Sequence, residues 1–138
     1  MSYINPAVPS GTPNPKVVTL GIIRISFLAG VLAFGAVAWF VNSRRAEPPA
    51  ITGDHPMAMA MPFVLAAALI AIIALRVAAG RAASDEQRST MLLVGWAVGE
   101  MSALAGGAFY LLSGDPKWYV GGLFVFLLGL VLLPLRRD

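Results

Sequence analysis

A single acidic residue, Glu100, lies in the middle of a long apolar run, where its charge could do chemistry. A carboxylate at the centre of a bilayer is costly unless it is protonated, paired or hydrated. Three roles are open for it: a structural ion pair, proton binding or relay, and contact with a polar group of a partner. Arg24 is the first candidate for the ion pair, and Arg76 the second. These three residues form the predicted intramembrane polar site.

The run that contains Glu100 also carries a small residue at every fourth position. Small side chains at this spacing let two helices approach closely in a membrane. The pattern predicts a helix-packing face, either inside this bundle or against another subunit, and the spacing does not say which helix it meets. The residues are Gly95, Gly99, Ala103 and Gly107.

One histidine and three methionines alternate with other residues between positions 55 and 61. Imidazole and thioether groups are ligands that suit Cu(I), so His55, Met57, Met59 and Met61 are metal-ligand candidates. At this spacing the methionines share a face only if the chain is extended, which Pro62 favours because the residue before proline avoids helix. In a helix they would point in different directions and simply fill apolar gaps.

Other familiar chemistry finds little support in the sequence. There are no cysteines, and His55 is the one histidine of the chain. A catalytic triad needs a histidine base beside its nucleophile, and zinc sites are built from several histidines, cysteines or carboxylates. Basic residues form no stripe of the kind that binds nucleic acid. We therefore expect neither an enzyme nor a cofactor, and no nucleic-acid partner.

The composition indicates where these side chains lie. Hydrophobic residues make up 58% of the 138 positions and charged residues 12%. Average soluble chains carry about 25% charged residues, so this chain has too little charge to cover a soluble surface. The lipid bilayer is therefore its expected surroundings.

Four apolar runs have the length of a membrane span, about 17–25 residues. Backbone groups in hydrocarbon must be hydrogen-bonded within the segment, which favours helices. The fold class predicted is all-α, an integral membrane bundle of four transmembrane helices. A Pro-rich tail over residues 1–16 precedes a single domain over 17–138. The spans are residues 17–41, 57–79, 90–112 and 119–135.

Lysine and arginine residues predict the orientation of the bundle. Four spans place both termini on one side, and the positive-inside rule makes the more basic side cytoplasmic. The expected localisation is therefore the cell (inner) membrane, multi-pass, with both termini cytoplasmic. One side has Lys16, Arg81, Arg88, Arg136 and Arg137, and the other has Arg44, Arg45 and Lys117.

The stretch Gln87-Arg-Ser-Thr-Met-Leu-Leu-Val-Gly-Trp-Ala-Val-Gly-Glu100, continuing to Gly106, resembles the carboxylate-bearing helix of the ATP synthase c-subunit (proteolipid) hairpin. The likeness covers residues 81–112 and is shared with small bacterial four-span membrane proteins. It requires one inserted residue before Glu100, and the glycine-repeat helix of that family has no counterpart in residues 62–79. The resemblance implies that Glu100 binds a proton.

Taken together, these features favour a small accessory or structural subunit of a larger membrane complex, such as a bioenergetic one. We expect other integral membrane subunits as partners, with the Pro-rich tail or the loop of residues 42–56 ordered by docking on them. Proton or ion translocation through Glu100 is the alternative, and Cu(I) handling by the His55 cluster is a third. A homo-oligomer also remains open.

Overall fold

Four helices make up the part of the chain that the computed structural model describes, residues 14–135. The predicted all-α bundle of four helices is confirmed. Residues 1–13 of the Pro-rich tail lie outside the described residues, as do Arg136 and Arg137. The helices are α1 (Pro15–Ser43), α2 (Pro56–Gly80), α3 (Asp85–Ser113) and α4 (Lys117–Leu132).

The starts of the first three helices follow from local capping. Asn14, His55 and Ser84 each accept a hydrogen bond from a backbone N–H two or three residues later. This satisfies one of the amide donors that a helix start leaves without a partner. Pro15 and Pro56 occupy the first helical position, where the missing N–H of proline costs nothing.

Within residues 14–135, α1, α2 and α3 are long and apolar enough to cross a membrane, with 29, 25 and 29 residues. The fourth helix has only 16 residues and is shorter than its predicted span. At 1.5 Å per residue it is about 24 Å long, against a bilayer core of about 30 Å. It ends at Leu132 because Pro134 disfavours a helical conformation at Leu133.

The helix α3 is the centre of the bundle, since it packs against each of the other three helices. Its closest partner is α4, whereas α1 and α2 do not pack against each other in the described part of the chain. The amino ends of α1 and α3 lie at the same end of the bundle as the carboxyl end of α4. The largest fully buried side chains are Trp96, Phe126, Ile72, Leu133 and Val31.

The loop between α1 and α2 contacts the bundle itself, and the expected docking of this loop on a partner stays a prediction. Ile51 is 8% exposed and packs with Ala58, Met61 and Phe109. Its backbone N–H donates to the Leu112 carbonyl at 3.3 Å. An apolar side chain of the loop therefore packs against α2 and α3.

Candidate intramembrane polar site

The small residues of α3 allow a close approach of α4. A Cβ atom added to Gly99 would lie 3.1 Å from the Phe126 Cα, and one added to Gly95 would overlap the Leu133 side chain. Ala103 lies opposite Gly122, where an added Cβ would be 2.8 Å from the Ala103 Cα. Gly95, Gly99 and Ala103 therefore all contact α4 or the residue that follows it.

Gly107 lies where α3 meets both α1 and α4, since an added Cβ would also be 3.3 Å from the Tyr119 ring. A Cβ atom at this position would come within 2.6 Å of the Phe34 ring. Two glycines that sequence reasoning missed, Gly106 and Gly122, make close backbone contacts between α3 and α4. Gly106 directly precedes Gly107 and does not fit the four-residue spacing from which the packing face was predicted.

Glu100 is half-buried and is the 16th of the 29 residues of α3. Its side chain reaches the edge of the contact between α1 and α3. A Cβ atom added to Gly30, which is exposed, would lie 3.6 Å from Glu100 Oε1. The carboxylate makes no hydrogen bond and no ion pair with any residue in the range 14–135.

The predicted ion pair between Arg24 and Glu100 is not formed. The Arg24 guanidinium instead donates from Nη2 to the Leu130 carbonyl at 2.8 Å, and its carbon atom lies 5.9 Å from the centre of the Trp96 ring. Glu100 meets α1 at Gly30, which is six residues, or about 9 Å along the helix axis, from Arg24. That separation, and the bond to Leu130, explain the absence of the pair.

Arg76 binds a neighbouring carbonyl in the same way, since its Nη1 donates to the Leu132 oxygen. The Trp96 indole N–H donates to the Leu133 oxygen at 3.2 Å. With Arg24, three side chains from three helices thus supply donors to the carboxyl end of α4. Helix carbonyls at this end have no partner within the helix and carry partial negative charge, which cations stabilise.

The presence of Arg24 and Arg76 in the sequence does not by itself predict this cap on α4. The sequence feature that could have indicated it is Pro134, which follows an apolar run and ends the helix early. A helix that ends within an apolar layer leaves carbonyls that need donors from other segments. Arg24 and Arg76 are therefore structural residues that stabilise α4, and Glu100 stands apart from them.

The opposite end of the bundle has a second cap of this kind, on α3. Asn42 Nδ2 donates to the Tyr110 carbonyl at 3.0 Å, and Arg45 donates to the Leu111 carbonyl. Gly114 adopts a left-handed conformation and donates its N–H to Tyr110, as glycine commonly does at the end of a helix. Arg45, predicted only as an orientation signal, therefore also joins the loop to α3.

The proposed Cu(I) ligands do not converge. Residues 56–61 are helical and Pro62 lies inside α2, so the extended conformation that would align the three methionines is absent. Met61 is 7% exposed and belongs to a buried apolar cluster, whereas Met59 is 67% exposed. The His55 Nδ1 atom accepts from the Met57 N–H at 3.2 Å and is occupied in capping the helix.

Among residues 14–135, no three histidine, cysteine or acidic side chains come together in a way that could hold a metal ion. One ion pair is formed there, between Lys117 and Asp115 at 2.7 Å in the turn before α4. The hydrogen bond from Lys117 lowers the pKa of the Asp115 carboxyl group below its usual value. This pair serves the turn, because Asp115 also accepts from the Lys117 backbone N–H.

The fold and site define an all-α helical bundle that has three helices of membrane-crossing length and a carboxylate midway along its central helix. No protein-family model, curated protein or solved structure matches the chain.

Proposed function

We propose that the protein is a small accessory subunit of a larger membrane complex, such as a bioenergetic one, and that it stabilises the assembly by helix packing. The observation that most directly supports this proposal is that Glu100 has no partner among the described residues. It lies midway along α3, half-buried at the edge of the contact with α1. A carboxylate at that depth requires a proton, a partner or water.

The cations of the chain that lie nearest in depth are already engaged. Arg24 binds the Leu130 carbonyl and Arg76 the Leu132 carbonyl, so releasing either arginine to Glu100 would leave that carbonyl without its side-chain donor. A polar group on a second subunit could satisfy Glu100 without that cost. Exposed Gly30 leaves room beside the carboxylate for such a group to approach.

The outer surface of the bundle also suits a subunit that is largely surrounded by lipid and protein. Large apolar side chains are exposed on all four helices, among them Ile25, Phe63, Met101 and Phe124. The loop of residues 42–56 and the turn before α4 supply little aqueous mass. Most of the surface of the described residues is therefore suited to contacts within a membrane.

Purification of the tagged protein from its native membrane in mild detergent tests the proposal. We expect a stoichiometric heteromeric complex that dissociates when Glu100 is replaced with leucine, because the partner group then loses its acceptor. The matched control is Glu86→Gln, which changes an exposed carboxylate near the start of the same helix. A stable monomer obtained under conditions that preserve other complexes of that membrane would contradict the accessory role.

Proton or ion translocation is the second candidate, and the same unpaired carboxylate favours it. A carboxyl group without a fixed cation can exchange a proton, and the resemblance of residues 81–112 to the c-subunit helix assigns this role to Glu100. In vesicles, a proton flux abolished by Glu100→Gln would support it, provided that the variant assembles normally. Normal assembly without any flux in the parent protein would exclude it.

The orientation of the bundle can be tested by single-cysteine labelling, since the chain has no cysteine of its own. Ala83 and Thr52 are exposed at opposite ends of the bundle. If both termini are cytoplasmic, Ala83→Cys will react with a membrane-impermeant maleimide from the cytoplasmic side and Thr52→Cys from outside. The reverse pattern of labelling would invert the proposed orientation.

A further inference from the structure

A cavity of about 340 Å³ opens at the end of the bundle where α1 and α3 begin. Its volume falls within the range of small-molecule sites, about 300–1,000 Å³. The wall is divided into a charged part and an apolar part. The charged part contains Lys16, Asp85 and Arg88, and the apolar part contains Leu20, Leu92 and Leu135.

The three charged groups are not used in ion pairs within the bundle. In the range 14–135 the one ion pair is that of Lys117 with Asp115, at the opposite end. Arg88 is half-buried as a residue and lines the cavity, and its side chain has no protein partner within residues 14–135. Two cations against a partly apolar wall favour a ligand that is anionic at one point and apolar at another.

The position of these residues in their helices fits the polar surface of a bilayer. Lys16 is the second residue of α1 and Arg88 the fourth residue of α3. If these helices cross a membrane, both side chains lie at the depth of lipid headgroups, and the leucines lie at the start of the hydrocarbon. Basic pockets at such sites bind the phosphate groups of lipids.

We infer that this cavity binds a glycerophospholipid whose headgroup is a hydrogen-bond donor, such as ethanolamine or glycerol. The phosphodiester binds Lys16 and Arg88, and an acyl chain follows the leucine wall into the membrane. The carboxylate of Asp85 disfavours a second phosphate and accepts a hydrogen bond from an ammonium or hydroxyl group. A choline headgroup has no such donor, so the cavity discriminates against it.

Native mass spectrometry of the purified protein tests this inference, with phosphatidylethanolamine, phosphatidylglycerol and phosphatidylcholine of identical acyl chains. We expect the first two lipids to be retained in preference to the third. Lys16→Gln and Arg88→Gln should each weaken retention about tenfold, because each removes a charge-assisted hydrogen bond. Arg88→Lys should restore part of the binding, and Asp85→Asn should reduce the preference over phosphatidylcholine.

The matched control is Arg81→Gln, which removes an exposed cation at the same end of the bundle but outside the cavity wall. Equal retention of the three lipids by the parent, or equal losses in the control and the Arg88 variant, would contradict the inference. Displacement of the lipid by inorganic phosphate at modest concentration would show a simple anion site and would overturn the assignment to a lipid. The measurement needs only the isolated chain, so its outcome is independent of the proposed accessory role.

Discussion

Replacing Gly122 with alanine is expected to destabilise the bundle by about 1–3 kcal/mol, the usual cost of overpacking a close contact. The added methyl group would lie 2.8 Å from the Ala103 Cα and closer still to the Ser102 carbonyl. Both are backbone atoms and cannot rotate away, so α3 and α4 must separate. Unfolding in detergent, followed by circular dichroism, measures the change.

The control for this substitution is Gly21→Ala, which places the same methyl group in a helix where nothing lies within 4 Å. Alanine is favoured over glycine in a helix by about 1 kcal/mol, so this variant should be as stable as the parent or more so. The difference in unfolding free energy between the two variants therefore measures the contact of residue 122 with α3. Equal stability of both would show that α3 and α4 do not approach as closely as described.

Replacing Arg24 with methionine is expected to cost about 1–3 kcal/mol, because the Leu130 carbonyl would be left without a donor in apolar surroundings. Methionine keeps much of the length and apolar contact of the side chain. The loss of stability therefore comes mainly from removing the guanidinium group. The contact with the Trp96 ring is lost as well. The double variant with Arg76→Met should be less stable than either single variant.

Arg81→Met is the matched control, since Arg81 is exposed and its side chain donates to no residue in the described range. It should leave the unfolding transition unchanged. If Arg24→Met also leaves it unchanged, water or lipid satisfies the end of α4 and the interhelix cap is dispensable. With Trp39 and Trp118 replaced by phenylalanine, tryptophan fluorescence gives a second measurement, since the Trp96 indole N–H donates to the Leu133 carbonyl and its ring lies beside Arg24.

The four helices could be predicted because each apolar run is long and is bounded by turn-forming or charged residues. The predicted fourth span runs to residue 135, three residues beyond the end of α4 at Leu132. The apolar residues continue past Leu132, but Pro134 disfavours a helical conformation at the residue before it. The loop was expected to need a partner because its composition is polar. Its contacts with α3 come from the apolar side chain of Ile51 and from Arg45, which donates to the Leu111 carbonyl.

The sequence could place the candidate residues along their helices but could not predict the contacts that they make. The depth of Glu100 and Arg24 in their spans follows from counting residues, whereas the rotation and offset of neighbouring helices depend on packing between side chains distant in sequence. Gly99 and Gly122 determine how α3 meets α4, and through them which carbonyls Arg24 can reach. The three methionines would share a face only in an extended chain, and the chain is helical there.

The cap on the carboxyl end of α4 also has a consequence for how the protein is made. Its donors come from Arg24, Arg76 and Trp96, which lie on the three helices synthesised before α4. If the helices cross a membrane, a chain still emerging from the ribosome holds these two arginines without these acceptors until α4 has formed. The arrival of α4 completes all three bonds, so a chain truncated before this helix should be less stable in the membrane than the full chain.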